Sequence, residues 1–374
     1  MKCPCNVCSQ PIEFPENMLG DAVQCPHCSA NTQLFDPAPQ EAAPQKPIQF
    51  LDAATEGGGH SVAPVAERII QNVETVVVGK RHQIMLTLVA LFSEGHALLE
   101  DVPGVAKTML ARSLSQSVGG TFKRVQCTPD LLPTDISGAS IFNPKTTEFE
   151  FRKGPLFAQF VLADEINRAT PRAQAALLEA MAESQVSVDG VVHKLDRPFY
   201  IIATQNPVDH EGTFPLPEAQ LDRFLVRLSL GYPTPEEESA MIEKLQLGHP
   251  VETLQPVVAV EDIVRCQEEV RQVRVHERVR DYVVQIITGT REHEAIILGG
   301  SPRATLALTR AAQAYAAING AAYVMPDDVK AIAPAVLPHR LIVRPESRLR
   351  KVTPEDVTSE IIRGTKVPVM PDRL

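Results

Sequence analysis

The segment HALLEDVPGVAKTMLARSL, residues 96–114, decides the fold of this 374-residue chain. Its first five residues form a short apolar run that predicts a buried strand, and a tight turn containing Pro103 and Gly104 follows. The turn ends in Lys107-Thr108, and the apolar positions after it predict a helix. A strand, a tight turn, Lys-Thr and a helix form the arrangement of a phosphate-binding loop. In such a loop backbone N–H groups hold the phosphates, the lysine reaches the terminal ones and the threonine hydroxyl binds Mg²⁺.

The loop departs from the strict pattern G-x-x-x-x-G-K-[ST]. Asp101 stands at its first glycine and Ala106 at its second, so a plain turn before a helix is the alternative interpretation. Asp101 would also place a carboxylate beside the phosphates, where it could weaken nucleotide binding. The candidate nucleotide-binding residues of the loop are Asp101, Val102, Pro103, Gly104, Val105, Ala106, Lys107 and Thr108.

Two further apolar runs carry polar residues at their ends. The run FVLA, residues 160–163, is followed by Asp164 and Glu165, which would hold Mg²⁺ and polarise an attacking water. The run FYIIA, residues 199–203, leads to Asn206, which could sense a γ-phosphate. Solvated acids and a turn-forming asparagine are the plain alternatives. Ligands of open parallel sheets bind at the carboxyl edge of the strands. Because Lys107, the two acids and Asn206 each follow a predicted strand, together they favour one nucleotide site at that edge.

The pattern of strands and helices predicts the domains. Strands that alternate with helices over residues 63–232 predict an α/β fold with a parallel sheet, and residues 233–374 predict an all-helical domain. Thr170 is a predicted helix N-cap, and Asp189-Gly190 predicts a β-hairpin. Residues 36–62, rich in Pro, Ala, Gln and Gly, have the composition of a linker.

The first 35 residues contain two Cys-x₂-Cys pairs, Cys5 with Cys8 and Cys25 with Cys28, separated by sixteen residues. This spacing is typical of a small zinc-ribbon-like module in which four thiolates hold a structural Zn²⁺. A knuckle that has lost its metal is the alternative. Such a module would serve protein docking or nucleic-acid contact, and docking is favoured because the module is not basic, with Lys2 as its one lysine or arginine.

Composition narrows the class of protein. A net charge of −10 and a pI near 5.5 argue against general nucleic-acid binding. The N-terminus lacks the apolar core of a signal peptide, and no apolar run of roughly 18 residues predicts a membrane span. We therefore expect a cytoplasmic protein, in which clustered cysteines indicate metal binding and not disulfides.

Several segments resemble those of MoxR-type AAA+ ATPases: VPGVAKT, FVLADEINRATPRAQAALLEAMAE, ATQNP, PLPEAQLDRF and GGSPRAT. The resemblance covers roughly residues 65–365. It implies that Lys107 and Thr108 are the Walker A pair, Asp164 and Glu165 the Walker B pair, and Asn206 sensor 1.

The resemblance also implies roles for three residues outside the phosphate-binding loop and the Walker B strand. Arg223 would be an arginine finger that reaches a neighbouring subunit, Arg303 sensor 2 on the helical lid, and Gly79 part of the segment beside the adenine. Salt bridges at helix ends are the alternative for the two arginines, and a simple helix-to-loop glycine is the alternative for Gly79. Two family insertions correspond to about residues 130–157 and to the hairpin at Asp189-Gly190, and they typically face the ring pore or the substrate.

The resemblance implies an ATP- and Mg²⁺-dependent ATPase that assembles as a homo-oligomeric ring, with six subunits expected. It would remodel or mature a partner protein in a chaperone-like way, and von Willebrand factor A domain proteins are the partners expected from the family. A DNA-acting motor or transcriptional regulator that uses the zinc ribbon is one alternative, and a nucleotide-gated scaffold with little turnover is another.

Overall fold

The computed structural model describes residues 2–4, 11–13, 22–28, 30–33, 61–207, 212–246 and 250–369. The chain divides into two compact units, Met1–Gly58 and Gly59–Leu374.

The smaller unit contains two antiparallel strand pairs, β1 with β2 and β3 with β4. The four strands are β1 (Lys2–Pro4), β2 (Pro11–Glu13), β3 (Ala22–Gln24) and β4 (Asn31–Gln33). Cys25 and Cys28 lie between β3 and β4, and the backbone N–H of Cys25 donates to the Ala30 carbonyl at 2.8 Å. Cys5 and Cys8 lie outside the described residues.

The larger unit begins with an α/β region. Its elements are α1 (Val62–Glu74), α2 (Arg81–Phe92), β5 (Ala97–Glu100), α3 (Lys107–Val118), β6 (Phe122–Gln126), α4 (Pro133–Ser137), β7 (Gly138–Asn143), β8 (Glu148–Lys153), β9 (Phe160–Asp164), α5 (Pro171–Glu183), β10 (Gln185–Val188), β11 (Val191–Lys194), β12 (Tyr200–Gln205), α6 (Glu218–Leu221) and β13 (Val226–Leu228).

Five strands form a parallel sheet in the order β13-β5-β12-β9-β6, which confirms the predicted α/β fold. The apolar runs of β5, β9 and β12 are buried because helices cover both faces of such a sheet. Gln205 is opposite Glu100, and Gln126 is opposite Asp164, so these strands end at one common edge.

Two hairpins project from this region. The β7–β8 hairpin lies within the expected insertion at residues 130–157. The β10–β11 hairpin turns at Asp189 and Gly190, whose φ angles of 50° and 79° are those of a type I′ turn. The hairpin prediction is confirmed.

The rest of the larger unit is mostly helical. Its elements are α7 (Pro235–Gln246), α8 (Pro250–Thr253), α9 (Val260–Gln272), α10 (Glu277–Glu292), β14 (Ile296–Leu298), α11 (Pro302–Ile318), α12 (Pro326–Val336), β15 (Ile342–Val343), α13 (Pro345–Leu349) and α14 (Pro354–Gly364). The expectation of a purely helical region is wrong in one respect, because β14 and β15 pair as a small antiparallel ladder. Two strands this short give no clear alternating pattern in the sequence.

One apolar core joins the two regions of the larger unit. Buried side chains of α1, α2 and α3 and of α9 to α12 belong to the same cluster, which also includes Leu99 of β5 and Ile202 of β12. Within the described ranges, no helix has the length and apolar character needed to cross a bilayer.

Candidate active site

The loop after β5 closes around the Lys107 side chain. Gly104 and Ala106 have φ angles of 87° and 63°, in the left-handed region, and α3 begins directly afterwards at Lys107. The Lys107 ammonium donates to the Asp101 carbonyl at 2.6 Å and lies 3.5 Å from the Gln205 carbonyl. The lysine head group is therefore held at the carboxyl ends of β5 and β12.

A cavity of about 320 Å³ lies at this edge of the sheet. Its lining residues are Pro103, Gly104, Ala106, Lys107, Thr108, Met109, Asp164, Glu165, Thr204 and Asn206. Five of these lining residues are the ones that the sequence analysis predicted to contact phosphate, Mg²⁺ or the attacking water: Lys107, Thr108, Asp164, Glu165 and Asn206. Val102 and Val105 do not line it, because they pack against the apolar core.

Asp101 is placed differently from the sequence-based expectation. Its carboxylate is buried and connects the phosphate loop, where Oδ1 accepts the Val102 N–H at 3.1 Å, with the segment that follows β13. One oxygen accepts hydrogen bonds from the Ser229 hydroxyl at 3.0 Å and from the backbone N–H groups of Leu230 and Gly231 at 2.5 and 2.8 Å. These three donors bind the carboxylate at the segment after β13, and Asp101 does not line the cavity of Lys107 and Thr108.

Thr204 links the two predicted acids, and the sequence analysis missed it. Its buried hydroxyl donates to the Asp164 carboxylate at 2.6 Å and accepts the Glu165 N–H at 2.8 Å. Glu165 has a φ of 57°, a left-handed conformation that a non-glycine residue adopts only where its surroundings hold it. The threonine therefore orients the carboxylate of Asp164 and fixes the backbone from which Glu165 projects.

Two side chains of β6, Arg124 and Gln126, donate hydrogen bonds to the two acids, and the sequence analysis did not find them either. The Arg124 guanidinium donates to Asp164 Oδ2 at 2.5 and 3.1 Å. The Gln126 amide donates to Glu165 Oε2 at 3.1 Å, and Arg168 approaches the same oxygen at 3.2 Å. In the sequence Arg124 stands out only as a charged residue in a short polar segment. Its place beside Asp164 follows from the pairing of β6 with β9 in the structure.

The oxygen ligands around Asp164 fit a magnesium ion. Asp164 offers a mostly buried carboxylate, Thr108 offers a hydroxyl in the same cavity, and both are the hard oxygen donors that Mg²⁺ prefers. The Arg124 guanidinium that contacts Asp164 shows that this position attracts positive charge.

Arg223 and Arg303 line a separate cavity of about 350 Å³. Arg223 donates to the Leu178 carbonyl at 3.0 Å, and Arg303 lies 3.9 Å from the Asp222 carboxylate. Across the described ranges no carboxylate pairs with Arg223, so the salt-bridge alternative applies to Arg303 but gains no support for Arg223.

Gly79 is also absent from the wall of the phosphate cavity. It has a φ of 73°, and the side chain of Glu237 on α7 fills the space that a Cβ atom would need. The left-handed backbone favours glycine there, and a larger residue would also have to displace the flexible Glu237 side chain.

The comparisons with known proteins agree with this geometry. Residues 96–226 match the model of the ATPase family associated with various cellular activities (AAA), and residues 288–361 match the AAA lid domain. The chain is 40% identical over 337 residues to the chaperone MoxR1 of Mycobacterium tuberculosis, covering 83% of this chain and 89% of that protein. The chain belongs to the MoxR-type AAA+ ATPases.

Other relatives extend across the same MoxR-type region. An uncharacterized protein, YeaC, of Bacillus subtilis is 50% identical over 306 residues, which are 82% of this chain and 96% of that protein. The crystal structure of a proposed ATPase from Cytophaga hutchinsonii superposes with a TM-score of 0.76 at 36% identity, covering 82% of this chain and 96% of that one. The family resemblance and the predicted fold, with its C-terminal helical lid, are thereby confirmed.

Proposed function

We propose that this chain hydrolyses ATP at the 320 Å³ cavity and uses the reaction to change the conformation of a partner protein. The observation that carries the proposal is the meeting of Lys107, Thr108, Asp164, Glu165 and Asn206 around one cavity. Lys107 would contact the β- and γ-phosphates, and Asn206 would orient the γ-phosphate and the attacking water. Glu165 would accept the proton of that water.

Magnesium would be held by Thr108 and Asp164. Bound there, Mg²⁺ would neutralise charge on the β- and γ-phosphate oxygens. Thr204 would keep the Asp164 carboxylate oriented through the 2.6 Å hydrogen bond, and Arg124 would have to release the other carboxylate oxygen.

Arg223 would serve the active site of a neighbouring subunit in a homo-oligomeric ring, for which we propose six subunits. The separate cavity of Arg223 supports this, because the arginine does not line the phosphate cavity of its own chain. Arg303 lines the same separate cavity, so we assign it with Arg223 to the side that faces the neighbour. Such an arrangement makes hydrolysis depend on assembly.

The client would be a protein. A relative that is 40% identical is named a chaperone, and the two hairpins expose apolar side chains, Phe142 and Phe149 on β7–β8 and Val191 and Val192 on β10–β11. Exposed apolar groups of this kind suit contact with a polypeptide. We retain a von Willebrand factor A domain protein as the first partner to test, and cytoplasm as the compartment.

We further propose that Cys5, Cys8, Cys25 and Cys28 hold a structural Zn²⁺ in a module over residues 1–35, followed by a linker over residues 36–62. Support comes from the second pair: Cys25 is buried, and the His27 N–H donates to its sulfur at 3.4 Å. Backbone N–H donors of this kind stabilise a metal-bound thiolate. We assign the module to docking, and residues 63–232 and 233–374 to the nucleotide-binding and lid domains.

The experiment separates nucleotide binding from chemistry. Lys107→Ala should abolish binding of a fluorescent ATP analogue, because it removes the cation that faces the phosphates. Glu165→Gln should retain binding and lose most phosphate release, because the amide cannot accept a proton. Wild-type turnover by Glu165→Gln would refute the assignment of the base, and stimulation by DNA but by no protein would favour the DNA-acting alternative.

A further inference from the structure

The segment that carries Arg223 is held by a buried arginine of the lid. Arg340 follows α12, and its side chain is only 3% exposed. Its Nε donates to the Asp222 carboxylate at 2.8 Å, and one terminal nitrogen donates to the Phe224 carbonyl at 2.6 Å. Arg340 thus contacts the residue before Arg223 and the residue after it.

The same carboxylate receives further contacts from the lid. Ser301, the N-cap of α11, donates to the second oxygen of Asp222 at 3.2 Å, and Arg303 lies 3.9 Å from that oxygen. Both oxygens of Asp222 are therefore engaged by the lid, one by Arg340 and one by the start of α11.

Arg340 remains a cation although it is buried. Burial lowers the pKa of its guanidinium to about 10, while the Asp222 carboxylate acts in the opposite direction. The planar guanidinium can bond the carboxylate and the carbonyls on both sides of Arg223 at once, which a lysine ammonium cannot do with the same geometry.

We propose that Arg340 is the positioning residue of Arg223: it ties the backbone on both sides of the finger to the lid, so that the lid of one subunit sets where its finger meets the neighbour. This rests on the proposed role of Arg223 in trans. It predicts that loss of Arg340 damages the finger that a subunit offers and leaves the subunit's own nucleotide site intact.

The test mixes full-length inactive variants in pairs. Arg340→Lys mixed with Lys107→Ala should regain hydrolysis, because the Lys107→Ala subunits supply sound fingers to sound nucleotide sites. Arg340→Lys mixed with Arg223→Ala should stay at least roughly tenfold slower, because a trans arginine contributes on the order of 10³–10⁵ in rate and no sound finger is present. Affinity for a fluorescent ATP analogue should stay at the wild-type level.

Two controls make the outcome decisive. Arg350→Lys makes the same substitution at an exposed arginine of the lid that lines neither cavity, and it should behave as wild type. Asp222→Asn, which removes the charge but keeps the shape, should show the same asymmetry if Arg340→Lys folds poorly. Equal rescue by both partners, or rescue by neither for both variants, would overturn the proposal.

The reference mixture of Arg223→Ala with Lys107→Ala separates the two hypotheses. If that mixture gains no activity, the trans role of Arg223 fails and this inference fails with it. If it gains activity while Arg340→Lys shows no asymmetry, only the role of Arg340 is wrong.

Discussion

The carboxylate of Asp101 accepts the backbone N–H of Gly231 at 2.8 Å, and so joins the first residue of the phosphate loop to the segment that follows β13. The N–H of Leu230 and the hydroxyl of Ser229 contact the same oxygen. The acid at the position of a loop glycine thus connects the phosphate loop to the segment after β13, and we expect this structural role to outweigh any repulsion toward phosphate.

Removing this tie should cost stability and should not improve nucleotide binding. We expect Asp101→Ala to lower the free energy of unfolding by about 2–4 kcal/mol, because buried donors lose a charged acceptor. Asp101→Asn, which keeps an acceptor oxygen, should lose less. Chemical denaturation and ATP-analogue titration measure both effects, and tighter nucleotide binding at unchanged stability would show that the carboxylate does oppose phosphate.

Arg124 should compete with the divalent cation for Asp164. In Arg124→Gln we expect Mn²⁺, used as a paramagnetic substitute for Mg²⁺, to bind the ADP complex roughly two- to fivefold more tightly, since a half-exposed ion pair contributes up to about 1 kcal/mol. Lys123→Gln, an exposed neighbour on β6, is the matched control and should change nothing. Unchanged or weaker Mn²⁺ binding in Arg124→Gln, measured by electron paramagnetic resonance, would contradict the competition.

His96 should make the protein less stable in mild acid. Its Nδ1 accepts the Ile201 N–H at 3.0 Å and its Nε2 lies 3.2 Å from the Met181 carbonyl, so the ring fits as the neutral form. Burial lowers its pKa to about 4. The unfolded chain therefore binds the proton more readily between pH 6.5 and 4, and stability falls as the pH falls through that window.

The size of this effect can be checked by urea unfolding at pH 7.5 and pH 5. The histidine should account for a loss of about 2 kcal/mol at pH 5, following from the unfolded and folded pKa values. His96→Asn keeps an acceptor near the Ile201 N–H without a titrating ring, and its stability should fall less over the same range. An equal decline in both proteins would exclude His96 as the cause.

The cysteine pairs predict a metal content. Purified protein should contain about one zinc per chain, as a single four-thiolate site requires. Cys25→Ser should release it, whereas Cys266→Ser, which changes a buried thiol of the larger unit, should retain it. Elemental analysis decides this, and zinc-free protein with the wild-type sequence would refute the site. ATP turnover should be the same in Cys25→Ser and wild type.

The strands that could be predicted from the sequence are the fully buried ones. The runs that became β5, β9 and β12 are continuously apolar because both faces of the sheet are covered, and their polar residues follow directly in the chain. The edge strand β6 exposes Lys123 and Arg124 and gives no such signal.

Side chains whose role depends on a contact with a residue distant in sequence were harder to find. Arg124 reaches Asp164 only because β6 lies beside β9, and Arg340 reaches Asp222 across more than a hundred residues of sequence. Neither spacing is regular, so no local pattern marks these residues, whereas Lys107 and Glu165 stand beside the turns that define them.

The measurement that most directly tests the central claim is the ATPase rate of mixed Arg223→Ala and Lys107→Ala subunits, each inactive alone. At equal amounts, roughly one quarter of the head-to-tail interfaces should pair a sound nucleotide site with a sound finger. The mixture should therefore regain phosphate release, and the rate per subunit should fall on dilution. No gain on mixing, or concentration-independent turnover by a demonstrated monomer, would contradict hydrolysis at shared interfaces.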